Sequence, residues 1–369
     1  MSLHELEPEQ QEIRALARRF AEERIAPHAA QWDREHTFPR ELFAELGELG
    51  LMGVCVPADQ GGAGADFLSY ILVLEELSRA DAGVGVTVAV HTSACTLPLL
   101  DHGSDLVPAL ASGEELGAFA LTEAGSGSDA SAMRTRFADG RLNGAKQWIT
   151  NGSYASTFLV FARDGERISA FIARAGAAGF AVTREEEKLG LNSSSTADIV
   201  FEDTPAERLG EPGKGMSIAL RTLDGGRIGI AAQAVGIAQA AFELATSYAK
   251  ERNAFGGPIA RLGAIQQKLA DMQTEIEAAR ALVWRAARLK DAGKPHTVEG
   301  AQAKLFASRV ARQWTGEAIQ ILGGCGYTKE FPAERYYRDA KVTEIYEGTS
   351  EIQRLVIARA LLGEAMRDG

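Results

Sequence analysis

The sequence predicts a multi-domain α+β protein: a helical N-terminal region, a small all-β middle and a helical C-terminal region. Three observations carry this. Apolar residues recur near a 3.6-residue spacing early in the chain, at Ile13, Leu16, Ala17, Phe20, Ala21 and Ile25. Short β-rich runs bounded by turn residues fill the middle. Three long alanine-rich stretches, 228–250, 265–291 and 298–322, occupy the last part, with lengths suited to an antiparallel bundle. The expected boundaries are 1–117, 118–215 and 216–369, in a chain of 369 residues that has length for two or three domains.

Taken in order, 10–30 reads as one helix that Pro27 ends or kinks. Residues 41–49 and 69–78 are shorter helices on either side of a glycine-rich break at Gly61–Gly64, and 82–100 is small, apolar and expected to be buried. Asn143-Gly144 and Asn151-Gly152 both read as turns, because Asn and Gly tolerate positive φ. Strands are expected at 158–162, 168–173, 180–184 and 197–201, and Gly210–Gly215 reads as the connector to the C-terminal helices.

Composition narrows the function. The chain is 46% hydrophobic and 24% charged, as in soluble globular proteins, and its formal net charge of −11 argues against nucleic acid or an anionic membrane as partner. Cys55, Cys95 and Cys325 lie far apart, with neither metal-ligand spacing nor a disulfide framework. No two of the six histidines sit at ligand spacing, so no metal site is expected. The first residues are charged throughout, with no apolar leader core, and no apolar run approaches a membrane span. The expectation is a cytoplasmic protein.

Five stretches hold residues suited to chemistry. In Leu121–Asp129 (LTEAGSGSD), Gly125 and Gly127 let backbone N–H groups approach a ligand; the plainer reading is a surface turn between the α and β regions. Trp148 and Thr150 sit two apart on an expected strand, hence on one face, where an indole and a hydroxyl suit a flat heteroaromatic ring; Trp148 taken alone reads as a core residue. Arg252 follows a long helix and offers a guanidinium fork to a pyrophosphate, or simply complements the helix dipole. Gln320–Gly324 reads as a helix end with exposed backbone. Glu347 lies beside a glycine just ahead of Ser350 and Gln353, which have the spacing of a capping box. On a dry loop such a carboxylate can act as a general base. Nothing local separates Glu347 from its neighbours Glu344 and Glu351.

Together LTEAGSGSD, QWITNG, LDGGRIGIAAQAVGIAQAA, RNAFG, QILGGCGY and RDAKVTEIYEGTSEIQR resemble the acyl-CoA dehydrogenase family, in the family's order and over nearly the whole chain. GRIGIA and EIYEGTSEIQRLV most resemble its short-chain and branched-chain members. The resemblance implies an N-terminal α-helical domain, a middle β-barrel and a C-terminal four-helix bundle. It also implies non-covalent FAD, a homotetramer, and oxidation of acyl-CoA to trans-2-enoyl-CoA with electrons passed to electron-transferring flavoprotein. An oxidase, a carrier-protein-linked acyl dehydrogenase and an idle scaffold are the alternatives.

By the same resemblance, Glu347 takes the Cα proton while flavin N5 receives the Cβ hydride. Phe119, Leu121, Thr122, Gly127 and Ser128 line the flavin loop, with Trp148, Ile149 and Thr150 beside the isoalloxazine. Ser128 also meets CoA. Arg252, Phe255, Gln320, Gly323 and Gly324 touch FAD held mainly by a neighbouring subunit. Thr349 and Glu351 close the FAD site. Gly348, Asp224 and Arg227 contact substrate. One family subgroup carries its base at the position of Gly226, where this chain has no acid. Many members have a glutamine where this chain has Gly263, a lost contact worth about 1 kcal/mol of FAD binding.

Overall fold

The computed structural model describes residues 5–363. Its N-terminal region contains α1 (Pro8–Phe20), α2 (Ala26–Glu35), α3 (Arg40–Glu48), α4 (Phe67–Ala80), α5 (Ala82–Ala89), α6 (Leu97–Asp101) and α7 (Val107–Ala111). The expected helix over 10–30 is present but interrupted. A π-helical turn, Ala21–Ile25, joins α1 to α2, and Pro27 falls in the first turn of α2. Proline's missing N–H costs little in a first turn, so the chain runs on without a sharp break. A second π turn, Val90–Thr96, joins α5 to α6.

The buried stretch is longer and more apolar than its residue runs suggest. Ala82–Asp101 and Gly215–Glu251 are both long and apolar enough to cross a membrane, each with a mean hydropathy of 1.4. That corrects the expectation that no segment approaches a span. Interspersed glycine, serine and threonine hide the length when only uninterrupted apolar runs are read. In the fold, 89% and 78% of these windows are buried inside the protein.

The middle region is a closed barrel. Its strands are β1 (Gly117–Ala120), β2 (Arg136–Ala138), β3 (Arg141–Thr150), β4 (Thr157–Asp164), β5 (Arg167–Arg174), β6 (Phe180–Glu185) and β7 (Thr196–Leu209). β4 pairs with β5, β5 with β7, β7 with β3, β3 with β2, and β2 back with β4. Closure leaves no open edge within that ring. β1 shares an edge of β4 with β2, and β6 shares an edge of β7 with β5.

Two expectations about β3 are overturned. Asn143-Gly144 is not a turn but part of the strand, at a register shift where Gly144 has φ +146°. The Asn143 side chain is spent on Asp203, accepting from its N–H at 2.9 Å and donating to its carboxylate at 2.8 Å. Asn151-Gly152 is the turn, with Asn151 at φ +67°. A second shift lies between Lys146 and Ile149, where Trp148 has φ +58°. A bulge breaks two-residue alternation, so the shared-face argument for Trp148 and Thr150 does not hold.

The C-terminal region has three long helices, α8 (Gly215–Glu251), α9 (Gly263–Asp291) and α10 (Thr297–Leu322), and two short ones, α11 (Ala333–Val342) and α12 (Ser350–Leu362). A two-residue hairpin, β8 (Asn253–Ala254) and β9 (Gly257–Pro258), follows α8. α8, α9 and α10 pack on one another, and α12 lies on α10 as a fourth member. α8 also packs against α4 and α5, so one hydrophobic core runs from the first region through the barrel into the bundle. That continuity places the loop before α12 over the middle of α8.

Candidate active site

Glu347 occupies a tight loop between α11 and α12. Its backbone is left-handed, φ +53°, and Gly348 follows at φ +85°. A non-glycine residue in that region is held there by its surroundings. Three helices supply the hold. Tyr346 Oη donates to Gln233 Oε1 on α8, and Gln233 in turn donates to the Ala82 carbonyl at 2.8 Å. Lys304 Nζ on α10 donates to the Gly348 carbonyl. Gln353 Nε2 on α12 donates to the Gly348 carbonyl at 2.7 Å and to that of Glu347 at 3.3 Å.

The cap of α12 therefore differs from the expected box. Thr349, not Ser350, is the N-cap, its hydroxyl accepting from Ile352 N–H at 3.3 Å. Gln353 turns to the loop carbonyls instead of the cap N–H. The positive φ of Glu347 and Gly348 presents those carbonyls to it, which spacing alone does not reveal.

The Glu347 carboxylate points at α8. A Cβ added to Gly226 would lie 2.8 Å from Oε2 and 3.0 Å from Cδ. Oε2 is sealed from solvent and has no hydrogen-bond partner among the described residues. Burial pushes the carboxyl up to about 7, against the opposing charges of Lys304 and Arg227. Asp224 and Arg227, one turn apart on α8, pair at 2.5 Å, and Thr297 donates to Asp224 at 2.6 Å. A cleft of about 190 Å³ opens beside them between Phe67, Ser93, Thr222, Asp224, Gly225 and Lys290.

The second group gathers on the barrel. LTEAGSGSD follows β1, so it belongs to the barrel and is not a turn between regions. Gln147 N–H donates to the Thr122 carbonyl at 2.9 Å, tying this loop to the Trp148–Thr150 end of β3. Trp148 is 56% exposed, which overturns its reading as a core residue; Ile149 and Leu121 are buried, and Phe119 packs on Phe161 at 5.1 Å. Beneath the loop, Lys146 donates to Glu123 and to the Leu121 carbonyl, both at 2.9 Å.

These residues fit FAD. A Cβ at Gly125 or Gly127 would meet nothing within 4 Å among the described residues, so a ligand can reach the backbone there, beside exposed Ser128. Among the described residues the Thr122 and Thr150 hydroxyls are engaged by no other side chain or carbonyl, and the Trp148 indole is open to stack.

The third group stands apart. Arg252 caps the C-terminus of α8, Phe255 is 92% exposed in the hairpin, and Gln320, Gly323 and Gly324 are exposed at the end of α10. Thr349 is committed to its cap, and Glu351 faces solvent beside Arg354 at 3.4 Å. Gly263, at the exposed start of α9, leaves open space around its Cβ position, while Gln266 Nε2 is spent on the Ala260 carbonyl at 3.0 Å.

Sequence reasoning missed Lys304, Gln233 and the Lys146–Glu123 pair. The available signal was a lysine inside the small-residue run GAQAKLFAS on an otherwise apolar helix face.

Comparison with known proteins agrees in every region. The acyl-CoA dehydrogenase N-terminal, middle and C-terminal domain families match residues 7–114, 118–204 and 213–362. Mouse (Mus musculus) mitochondrial short-chain specific acyl-CoA dehydrogenase is 51% identical over 97% of this chain and 91% of its own. Its short-chain specific counterpart from Clostridium acetobutylicum is 47% identical over 95% and 97%. Among solved structures, butyryl-CoA dehydrogenase from Megasphaera elsdenii superimposes with a TM-score of 0.95 at 44% identity, covering 97% and 99%. A chain from the structure of the electron transferring flavoprotein of Acidaminococcus fermentans reaches 0.96 at 46%, covering 98% and 100%. An acyl-CoA dehydrogenase from Bacillus anthracis complexed with FAD reaches 0.93 at 36%, covering 98% and 68%. Family members are FAD-dependent, and FAD is the cofactor here. Matched in all three regions along nearly its whole length, the chain belongs to the acyl-CoA dehydrogenase family and is an acyl-CoA dehydrogenase.

Proposed function

We propose that the protein oxidises short-chain acyl-CoA thioesters to trans-2-enoyl-CoA, with Glu347 as the base that removes the Cα proton. The observation that carries this is the sealed, unpartnered Oε2 of Glu347 facing Gly226. A base must be desolvated and free to accept a proton, and this oxygen is both. Among the described residues the Glu347 N–H has no acceptor, so it is free to donate to a thioester oxygen as negative charge develops there. When bound, FAD supplies the two-electron acceptor for the Cβ hydride. In this reading Asp224, Arg227, Gly348 and Ser128 contact substrate, and Phe119, Leu121, Thr122, Gly127, Ser128, Trp148, Ile149 and Thr150 hold the isoalloxazine. Thr349 and Glu351 border that site. The exposed set of Arg252, Phe255, Gln320, Gly323 and Gly324 suits FAD shared across a subunit contact.

Tight packing on α8 near Gly226 supports the short-chain reading. One turn along α8 from Gly226, a Cβ at Gly229 would sit 3.3 Å from Leu74 and 3.6 Å from the Tyr70 hydroxyl, which itself donates to the Ala89 carbonyl at 3.2 Å. The named substrates of the relatives point the same way. Electron-transferring flavoprotein as acceptor, a homotetramer, and a cytoplasmic role in fatty-acid β-oxidation or branched-chain amino-acid catabolism complete the proposal, with neither nucleic acid nor membrane as partner. Anaerobic titration with acyl-CoA from C4 to C16, including isobutyryl, isovaleryl and glutaryl forms, tests it. Butyryl-CoA should bleach the flavin fastest. Fastest bleaching by C12 or longer chains contradicts the short-chain reading, and rapid turnover in air without acceptor points to an oxidase.

A further inference from the structure

Lys304 is 1% exposed, on α10 among Ala301, Ala303 and Ala307. A buried ammonium is costly unless its charge is balanced and its donors are used. Its hydrogen bond goes to a backbone carbonyl, that of Gly348, the residue after the base. The acids around it are Glu347, Glu344 and Glu351, and Arg227 opposes it from α8. Glu344 is already paired with Arg312 at 3.1 Å and Lys341 at 2.7 Å, and Glu351 lies in solvent. Of these three acids, only Glu347 lacks a paired cation among the described residues. The groups facing Glu347 are Arg227 from α8, Lys304 from α10, Tyr70 from α4 and Tyr346 from its own loop.

We propose that Lys304 is the positioning residue of this reaction: its ammonium grips the Gly348 carbonyl, holding Glu347 in its left-handed conformation against Gly226, and its charge opposes protonation of the Glu347 carboxylate. This rests on the reading of Glu347 as the base. Lys304 contacts no substrate; it acts through the loop and through space.

The test is the pH dependence of anaerobic flavin bleaching by butyryl-CoA, in holoenzyme whose flavin absorbance shows retained FAD. Removing the positive charge makes Glu347 harder to ionise, so Lys304→Met should move the acid limb of the rate up by about one pH unit, roughly tenfold in rate along that limb. Its plateau should also fall, because the grip on Gly348 is lost. Lys304→Gln, which keeps a donor without the charge, should move the limb with less loss of plateau. Apparent KM should change little in both. A Lys304→Met holoenzyme with wild-type limb and plateau overturns the inference. Where neither neutral variant folds, Lys304→Arg carries the test: it must keep the wild-type limb, and a displaced limb overturns the inference. Glu347→Gln separates the two claims. Bleaching of that variant at the wild-type rate removes the base assignment; an inert Glu347→Gln beside an unchanged Lys304→Met removes only the role of Lys304.

Discussion

Two buried lysines each face a glutamate in this fold, Glu123 buried and Glu347 half-buried with its Oε2 sealed, and the pairs have opposite characters. Under the flavin loop, Lys146 and Glu123 meet at 2.9 Å, and Glu123 also accepts from the N–H groups of Arg134 and Thr135 at 2.6 and 2.9 Å. Burial raises the Glu123 carboxyl, but the Lys146 bond and charge, with those added donors, outweigh it and hold the group below its usual range. Lys146, also buried, falls to about 8. Beside Gly226, Lys304 reaches past Glu347 to a carbonyl, Oε2 stays unpartnered, and burial carries the carboxyl up to about 7. A satisfied pair fixes a loop. A pair left one bond short keeps a carboxylate able to take a proton. Hydrogen bonding to the charged form holds the Glu123 carboxyl down, while desolvation raises that of Glu347, whose Oε2 has no such bond among the described residues.

The largest effect should come from breaking the satisfied pair. Lys146→Ala leaves Glu123 buried without its cation, and loss of one partner of such a pair costs about 3–5 kcal/mol. Denaturant unfolding should show that loss, while the bleaching rate per bound flavin stays near wild type. A comparable loss of rate would mean that Lys146 also serves the chemistry.

The unsatisfied pair should show itself in pH dependence. The rate needs ionised Glu347, whose carboxyl is raised to about 7, so bleaching should fall as pH drops through about 7, by roughly tenfold per unit below it. A rate flat down to pH 5 would place the carboxyl in the ordinary range and erase the contrast with Glu123. Next in size, Gly226→Ala sets a methyl 2.8 Å from Oε2 and forces the carboxylate aside. A misplaced base loses rate, here by about tenfold, with FAD retained. The smallest effect is at Gly263, where Gly263→Gln adds a side chain into open space and should tighten FAD by about 1 kcal/mol, read by flavin titration of apoprotein.

The contrast between the pairs also marks what could be read ahead of the structure. Periodicity marked the first helix, because one buried face imposes it, and alanine-rich stretches of bundle length marked the last ones; α9 and α10 begin within two residues of the expected starts, whereas α8, expected from 228, already begins at Gly215. The β3 errors arose because bulges at Gly144 and Trp148 break the two-residue rule locally, and positive φ at an indole has no signature in spacing. The loop of Glu347 was visible as a motif, but its dryness was not. Its environment is made by Gln233 and Lys304, the latter 44 residues from the carbonyl it holds. A lysine in a helix reads as solvated until tertiary packing buries it. The cap at Thr349 was missed by one residue for a related reason, since the turned loop recruits Gln353. The helix N-terminus beside Glu347 favours an ionised carboxylate, yet burial dominates before any substrate arrives.

The central claim is that Glu347 is the base, and anaerobic stopped-flow reduction of Glu347→Gln by butyryl-CoA tests it most directly. The amide keeps the shape and the loop contacts but cannot take the proton. The variant should bind FAD and acyl-CoA, remain yellow, and reduce about 10²–10⁴-fold more slowly than wild type. Reduction at the wild-type rate would contradict the account.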